Sequence, residues 1–144
     1  MIIAVVVTYN RLENLKILLS GLQQQSILPD EIIVVNNNST DGTGKWLDTQ
    51  NGIIVIHQEN TGGAGGFHTG VKVAYERKAD WIWIMDDDVI PQTECLEKLL
   101  SHKQVSKCLN PVRISHDGQI ESEERDLDPE SSYIVNYNNR SYKN

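Results

Sequence analysis

The chain has 144 residues, of which 39% are hydrophobic and 23% charged, and its formal net charge is −7. This composition is typical of a single folded domain with a moderate core, and it argues against a disordered chain. The acidic balance argues against a general nucleic-acid binder, because such proteins carry a basic patch.

Four short apolar runs, rich in β-branched residues, predict buried strands. They lie at residues 2–7, 31–35, 53–56 and 81–85. Near-continuous apolar runs of this length are typical of a parallel sheet that is covered on both faces. The first run is far shorter than a membrane span requires, so we expect no membrane-spanning segment.

The segments between these runs have helical spacing. Apolar residues recur every three or four positions in three groups: Leu12, Leu15, Leu18, Leu19 and Leu22, then Val71, Ala74 and Tyr75, then Leu96, Leu99 and Leu100. Such a repeat predicts a helix with one apolar face. The alternation of strands and helices predicts an α/β fold, with an open, mostly parallel sheet flanked by helices.

The character of the chain changes after Leu109. Residues 112–115 predict one more strand, Asp117 and Gly118 predict a turn, and the chain from Ser122 onward is polar and lacks periodicity. We therefore predict an α/β domain over residues 1–115, followed by residues 116–144 as the start of a second, incomplete region.

Each predicted strand is followed by a distinctive polar or glycine-rich segment. These segments cover residues 8–11, 36–42, 60–67 and 86–88. Ligands of open parallel sheets bind at the carboxyl ends of the strands. We therefore expect all four segments to meet at one edge of the sheet and to form the binding site.

Three consecutive carboxylates, Asp86, Asp87 and Asp88, follow the fourth predicted strand. Their mutual repulsion is unfavourable unless a cation or hydrogen-bond donors compensate it. Oxygen ligands suit Mg²⁺ or Mn²⁺, which often binds one or two carboxylates together with substrate phosphates. In an extended stretch Asp86 and Asp88 point the same way and Asp87 points oppositely. An acidic helix N-terminus is the less favoured alternative.

The glycine-rich segment contains Gly62, Gly63, Gly65 and Gly66, and a helical pattern begins near Phe67. Glycines let the backbone approach a ligand closely, and a helix N-terminus that follows them favours phosphate. By itself the segment indicates a phosphate-binding loop or a flexible turn about equally.

The segment at residues 36–43 favours a structural turn with a helix cap at Ser39 or Thr40, and only Asn36 is expected to contact a ligand. Tyr9 is suited to stack on a base and Arg11 to meet a phosphate. The four histidines show no ligand spacing, and we expect each to be solvated: His57, His68, His102 and His116.

These segments, taken in order, resemble the family 2 glycosyltransferases of the GT-A fold. The matching pieces are residues 5–11, 33–43, 60–67 and 86–88. The glycine-rich segment together with the three aspartates looks most like the galactofuranosyltransferase branch, with the rhamnosyltransferases next.

The resemblance implies that Thr8, Tyr9 and Asn36 hold the nucleoside and that Arg11 reaches toward the diphosphate. It implies Mn²⁺ or Mg²⁺ at Asp88 together with Asp86. The full set expected at the donor is Thr8, Tyr9, Arg11, Asn36, Asn38, Gly63, Gly66, Asp86 and Asp87. The family usually has an aspartate where this chain has Asn36. No residue matches the family's general base, which we expect beyond Asn144.

The implied reaction transfers galactofuranose or rhamnose, with inversion, from a UDP- or dTDP-linked donor to a glycan or lipid-linked acceptor. The resemblance also implies that the protein acts in envelope polysaccharide synthesis, in the cytoplasm at the membrane face. A non-catalytic nucleotide-sugar-binding module or an inactive fragment is the alternative. A nucleotidyltransferase is less favoured, because residues 9–12 lack the glycines and basic residues expected after its first strand.

Overall fold

A computed structural model of the chain describes residues 1–111, Ile114, and the strand backbones at residues 125–127 and 134–136. The chain divides into two compact units, Met1–Ser101 and His102–Asn144. This division falls earlier than the predicted boundary at residue 115. The functions predicted for the two regions stay predictions. Apart from Ile114, the strand predicted at residues 112–115 lies outside the described residues, as does the turn at residues 117–118.

The first unit is built on a parallel sheet of four strands. They are β1 (Ile2–Thr8), β2 (Glu31–Asn36), β3 (Ile54–His57) and β4 (Trp81–Asp86), in the order β3-β2-β1-β4. All four predicted strands are confirmed, and each ends one residue later than predicted. The polar residue at each strand end continues the strand because the backbone does the pairing, whatever the side chain.

The unit also contains four helices. They are α1 (Leu12–Gln23), α2 (Thr43–Leu47), α3 (Gly62–Glu76) and α4 (Cys95–Ser101). The predicted leucine face of α1 is confirmed, because Leu15, Leu18, Leu19 and Leu22 are buried. They join Ala4, Val6 and Val34 from β1 and β2 in one core cluster. The α/β fold predicted from the alternating pattern is therefore present.

Helix α3 differs from the prediction in both its start and its buried face. It begins at Gly62 rather than near Phe67, so the glycine-rich segment forms the first turns of a helix and is not a loop. Tyr75, predicted to lie on the apolar face, is 72% exposed. The residues that are buried are Gly66, Gly70 and Ala74, spaced four apart.

Two glycines explain this buried face. A Cβ atom on Gly66 would lie 2.5 Å from Val7 Cγ1, and one on Gly70 would lie 2.4 Å from Val5 Cγ1. The helix backbone therefore rests directly on β1, at a separation that no larger residue allows without a shift of the strand. The periodicity search missed this face because glycine carries no hydrophobic signal.

The second unit contains an antiparallel pair, β5 (Arg125–Leu127) and β6 (Ile134–Asn136). Within the described residues of the whole chain, no helix has the length and apolar character needed to cross a membrane.

Candidate functional site

The register of the sheet brings the strand ends together. Thr8 lies opposite Asn36, which in turn lies opposite His57, and Val7 lies opposite Asp86. The segments that follow β1, β2, β3 and β4 therefore start from one edge of the sheet, as predicted. The side chains at this edge fall into two groups, one at the end of β4 and one around the end of β2.

At the end of β4, Asp87 is buried and already has partners. It is 5% exposed. The Thr8 hydroxyl donates to Asp87 Oδ2 at 2.7 Å, and Arg11 Nη1 lies 3.4 Å from Asp87 Oδ1. Thr8 is 1% exposed, so its hydroxyl serves the protein interior. The nucleoside contact expected of Thr8 and the donor contact expected of Asp87 stay predictions.

Arg11 also binds Asp88. Its Nη1 donates to Asp88 Oδ2 at 2.5 Å, and about half of each side chain is exposed. The hydrogen bond to Asp88, and next the charge of Asp87, raise the pKa of the Arg11 guanidinium further. Both contacts use Nη1 alone, and the predicted reach of Arg11 toward a diphosphate stays a prediction.

The predicted alternation of the three carboxylates is wrong. Strand β4 ends at Asp86, and Asp87 and Asp88 form a turn. Because the chain turns there, Asp87 and Asp88 meet the same Nη1 atom of Arg11 instead of pointing to opposite sides.

Asp86 is the uncompensated member of the group. It is exposed, and within residues 1–111 its carboxylate has no hydrogen bond or ion pair. Partial desolvation, followed by repulsion from Asp88 and Asp87, raises the pKa of Asp86, and Arg11 opposes that shift. The local field therefore favours a positive charge beside Asp86.

These carboxylates fit a divalent cation that a ligand completes. No group of three or more His, Cys, Asp or Glu side chains in the described part of the chain is arranged to hold a metal alone. Among residues 1–111, Asp86 has no partner, and Asp88, which is about half exposed, is paired with Arg11. Two hard oxygen donors of this kind suit Mg²⁺ or Mn²⁺ when phosphate oxygens and water fill the other positions.

Around the end of β2, Asn36 is buried at 3% exposure. Its Oδ1 accepts the Ser39 N–H at 3.1 Å, and its Nδ2 lies 3.0 Å from His57 Nδ1. Both ends of the amide are therefore used inside the protein. The predicted contact of Asn36 with a base stays a prediction, and it would depend on the second lone pair of the amide oxygen.

The loops after β1 and β2 are tied to each other. Ser39 Oγ accepts the Asn10 N–H at 2.9 Å, and Asn10 Oδ1 accepts the Thr40 N–H at 2.6 Å. Asn10 and Asn38 have φ angles of 55° and 60°, in the left-handed region that asparagine tolerates best after glycine. Tyr9 and Asn38, both expected at the donor, are exposed beside these ties.

Asp41, rather than Ser39 or Thr40, caps the neighbouring helices. Its Oδ1 accepts the Thr43 N–H at 3.1 Å, and its Oδ2 accepts the Leu12 N–H at 3.1 Å. Desolvation acts to raise the pKa of Asp41, but hydrogen bonds from Thr43 and Leu12 outweigh it and lower that pKa. One carboxylate thus holds the starts of α1 and α2, and the predicted cap was wrong.

The glycines at the start of α3 have two different surroundings. Gly63 is exposed with open space around its Cα, whereas Gly66 is buried against Val7 and Asn37. Asn37 Nδ2 also donates to the Gly62 carbonyl at 3.0 Å. The structure gives Gly66 a packing role, and the donor contacts expected of Gly63 and Gly66 stay predictions.

The sequence assigned no individual role in the site to three residues that organise this edge: Asn10, Asp41 and His57. His57 was expected to be solvated; its side chain is 45% exposed, and its ring also contacts Asn36 and Asp48. Its position at the end of β3, in line with Thr8 and Asn36, was the available signal. Its neighbours are distant in sequence, so spacing did not reveal them.

Comparison with known proteins agrees with this arrangement. The sequence model of glycosyl transferase family 2 matches residues 3–142. Galactofuranosyltransferase GlfT1 of Mycolicibacterium smegmatis is 40% identical over 101 residues, which is 68% of this chain and 33% of that protein. The chain thus spans about a third of the length of this relative.

Two solved structures show the same fold. S. aureus TarS 1-349 in complex with UDP superposes with a TM-score of 0.64 at 21% identity, over 86% of this chain and 40% of that one. Mannosyltransferase PcManGT from Pyrobaculum calidifontis, in complex with GDP-Man and Mn²⁺, gives 0.51 at 26% identity, over 62% and 28%. Four parallel strands flanked by helices, with polar residues at the strand ends, are the GT-A arrangement, and the chain belongs to glycosyl transferase family 2.

Proposed function

We propose that this chain binds a nucleotide-diphosphate sugar at the carboxyl edge of its sheet and serves as the donor side of an inverting glycosyltransferase. Galactofuranose is the favoured sugar, because a galactofuranosyltransferase is 40% identical over two thirds of the chain. The rhamnose alternative and the glycan or lipid-linked acceptor at the cytoplasmic membrane face rest on the resemblance alone.

The observation that carries the proposal is the unequal compensation of the three carboxylates at the end of β4. Asp87 is buried and held by Thr8, and Asp88 shares Arg11, whereas Asp86 has no partner among residues 1–111. A bound cation would relieve the repulsion that Asp86 experiences. The exposed Tyr9 lies on the neighbouring strand end, where a base can stack on its ring.

Different residues of the chain would hold the cation and the diphosphate. Asp86 and Asp88 would hold Mn²⁺ or Mg²⁺, and Asp87 keeps Arg11 close to both. When bound, the cation would neutralise negative charge that develops on the diphosphate leaving group. Arg11 would donate to a phosphate oxygen, which its planar guanidinium favours. The general base is still expected beyond Asn144.

Isothermal titration of UDP into the chain, with and without Mn²⁺, tests the proposal. We expect binding that strengthens with Mn²⁺, and a loss of that Mn²⁺ effect in Asp88→Asn, which keeps side-chain volume but removes a charged ligand. Glu76→Gln is the matched control, because Glu76 is an exposed carboxylate at the far end of α3. We expect it to bind UDP as the wild type does.

Absence of UDP binding, or equal enhancement by Mn²⁺ in Asp88→Asn and the wild type, would contradict the proposal. A module that binds the nucleotide sugar without transferring it would use the same residues. Release of UDP in step with product, on incubation with UDP-galactofuranose and a lipid-linked acceptor, would identify an active enzyme rather than a module that only binds. Membership of glycosyl transferase family 2 argues against the nucleotidyltransferase alternative.

A further inference from the structure

We infer that His57 is a positioning residue for the nucleotide: it holds, through Asn36, the loop at residues 36–41 in the shape that the donor meets. The inference rests on the proposed function. It deepens that function by adding a residue that has no contact with the cation site among the described hydrogen bonds.

The hydrogen bonds determine which ring nitrogen of His57 carries the proton. Asn36 Oδ1 is taken by the Ser39 N–H, so the group that faces His57 is the amide NH₂, which can only donate. His57 Nδ1 is therefore the acceptor. His57 Nε2 then carries the hydrogen and donates to Asp48 Oδ1 at 2.9 Å.

This tautomer fixes the orientation of the Asn36 amide. A flipped amide would place its oxygen against the lone pair of His57 Nδ1 and its NH₂ against the Ser39 N–H, so both hydrogen bonds would be lost. Asn36 is buried, and a Cβ on Gly44 would lie only 3.1 Å from its Nδ2, whereas His57 is partly exposed. Asn36 therefore has little room for another rotamer.

The effect of His57 extends to the loop after β1. The Asn36 amide holds the Ser39 N–H, and the Ser39 hydroxyl holds the Asn10 N–H. Asn10, in the left-handed region, lies between Tyr9 and Arg11, the two residues expected to meet base and diphosphate. A series of hydrogen bonds thus connects Asp48, through His57, Asn36 and Ser39, to the backbone N–H of Asn10. That backbone positions Tyr9 and Arg11.

The test compares UDP affinity in the presence of Mn²⁺ among variants of the full chain. His57→Phe removes the acceptor for Asn36, and we expect a Kd raised by about five- to tenfold, the effect of one lost hydrogen bond. His57→Gln supplies an amide oxygen as acceptor and should recover most of the affinity. His68→Phe, at an exposed position in α3, is the control and should bind as the wild type does.

Amide hydrogen exchange separates positioning from general stability. In His57→Phe we expect faster exchange at Ser39 and Asn10, with unchanged protection at Val5 in the centre of β1. Asp48→Ala keeps the imidazole but removes the acceptor at Nε2, and it should move the Kd in the same direction by a smaller factor. It also serves as the second variant if His57→Phe does not fold.

The outcomes are distinct from those for the proposed function. If the wild type does not bind UDP, the proposed function fails and this inference fails with it. If the wild type binds UDP, and His57→Phe and Asp48→Ala bind equally well, only the role of His57 is refuted. A His57→Gln variant as weak as His57→Phe would also refute it, because the acceptor would then not be what matters.

Discussion

The two ends of the functional edge differ in how their polar groups are compensated. Around the end of β2, Asn36, Asp41 and Ser39 each bond to a backbone N–H of a neighbouring loop or helix. At the end of β4, Asp87 and Asp88 share the Arg11 guanidinium and Asp87 also accepts from the Thr8 hydroxyl, whereas Asp86 has no partner among residues 1–111. In the first region the polar groups hold the local backbone, whereas in the second one carboxylate has no partner among residues 1–111.

The shifts in pKa show the same contrast. Hydrogen bonds from Thr43 and Leu12 lower the pKa of Asp41 in spite of its desolvation. Desolvation and repulsion by Asp88 and Asp87 raise the pKa of Asp86. The fold therefore stabilises the ionised form of Asp41, whereas without a ligand it disfavours the ionised form of Asp86. Such opposed environments are common at functional sites.

The largest expected effect concerns the hydrogen bond between Thr8 and buried Asp87 at the end of β4. Thr8→Val preserves shape but removes the hydroxyl that donates to buried Asp87, and we expect it to lower the free energy of unfolding by about 1.5–3 kcal/mol. Urea denaturation measures this change. Thr69→Val is the control, because the Thr69 hydroxyl bonds to a carbonyl within its own helix, and it should cost less than about 1 kcal/mol. Equal effects would mean that Asp87 does not depend on Thr8.

A smaller effect tests the β2 region. Asp41→Ala removes the acceptor shared by Thr43 and Leu12, and we expect a loss of about 1–2 kcal/mol in the free energy of unfolding. Asp41→Asn keeps an acceptor oxygen and should lose less.

The same residue predicts a pH dependence. Because the folded-state pKa of Asp41 lies below its ordinary value of 3.8, its contribution is complete above that value and is lost as the pH falls through the folded pKa. The stability difference between the wild type and Asp41→Ala should therefore shrink at low pH. A difference that stays constant down to pH ~2 would contradict the role of the ionised carboxylate.

The smallest expected effect is a gain in the free energy of unfolding rather than a loss. Asp86→Asn removes an unpaired charge beside two like charges, so without ligand we expect stability to rise by a few tenths of a kcal/mol at neutral pH. A raised folded-state pKa means that the ionised form costs stability above it, and that this cost disappears as the pH falls. Thermal unfolding at low salt is the measurement.

Asp80→Asn is the matched control for that comparison. Asp80 pairs with the amino group of Met1 at the other end of β4, so its replacement should lower stability slightly or leave it unchanged. The contrast between the two strand-end regions would be wrong if Asp86→Asn destabilised the chain as Asp80→Asn does. A gain in stability in Asp86→Asn, together with weaker Mn²⁺-dependent UDP binding, would support the contrast, since functional residues are often kept at a cost to stability.

Much of the architecture could be predicted from the sequence. The β-branched runs predict the strands, the leucine spacing predicts α1, and the polar residues that follow each run predict the binding edge. These features are local, since burial imposes a period on the side chains of a single segment. The same reasoning failed for α3, whose buried face is made of Gly66, Gly70 and Ala74. That face depends on the shape of Val5 and Val7 in another element.

The sequence by itself thus determined the α/β class, the four strands to within one residue at each end, and the family. Only the tertiary structure decided which polar groups have partners. Thr8 and Asp87 are 79 positions apart, and Asn36 and His57 are 21 apart. Periodicity describes the environment of a residue but not its partner, because a hydrogen bond requires two side chains within about 3 Å of each other, and that distance is set by the packing of separate elements.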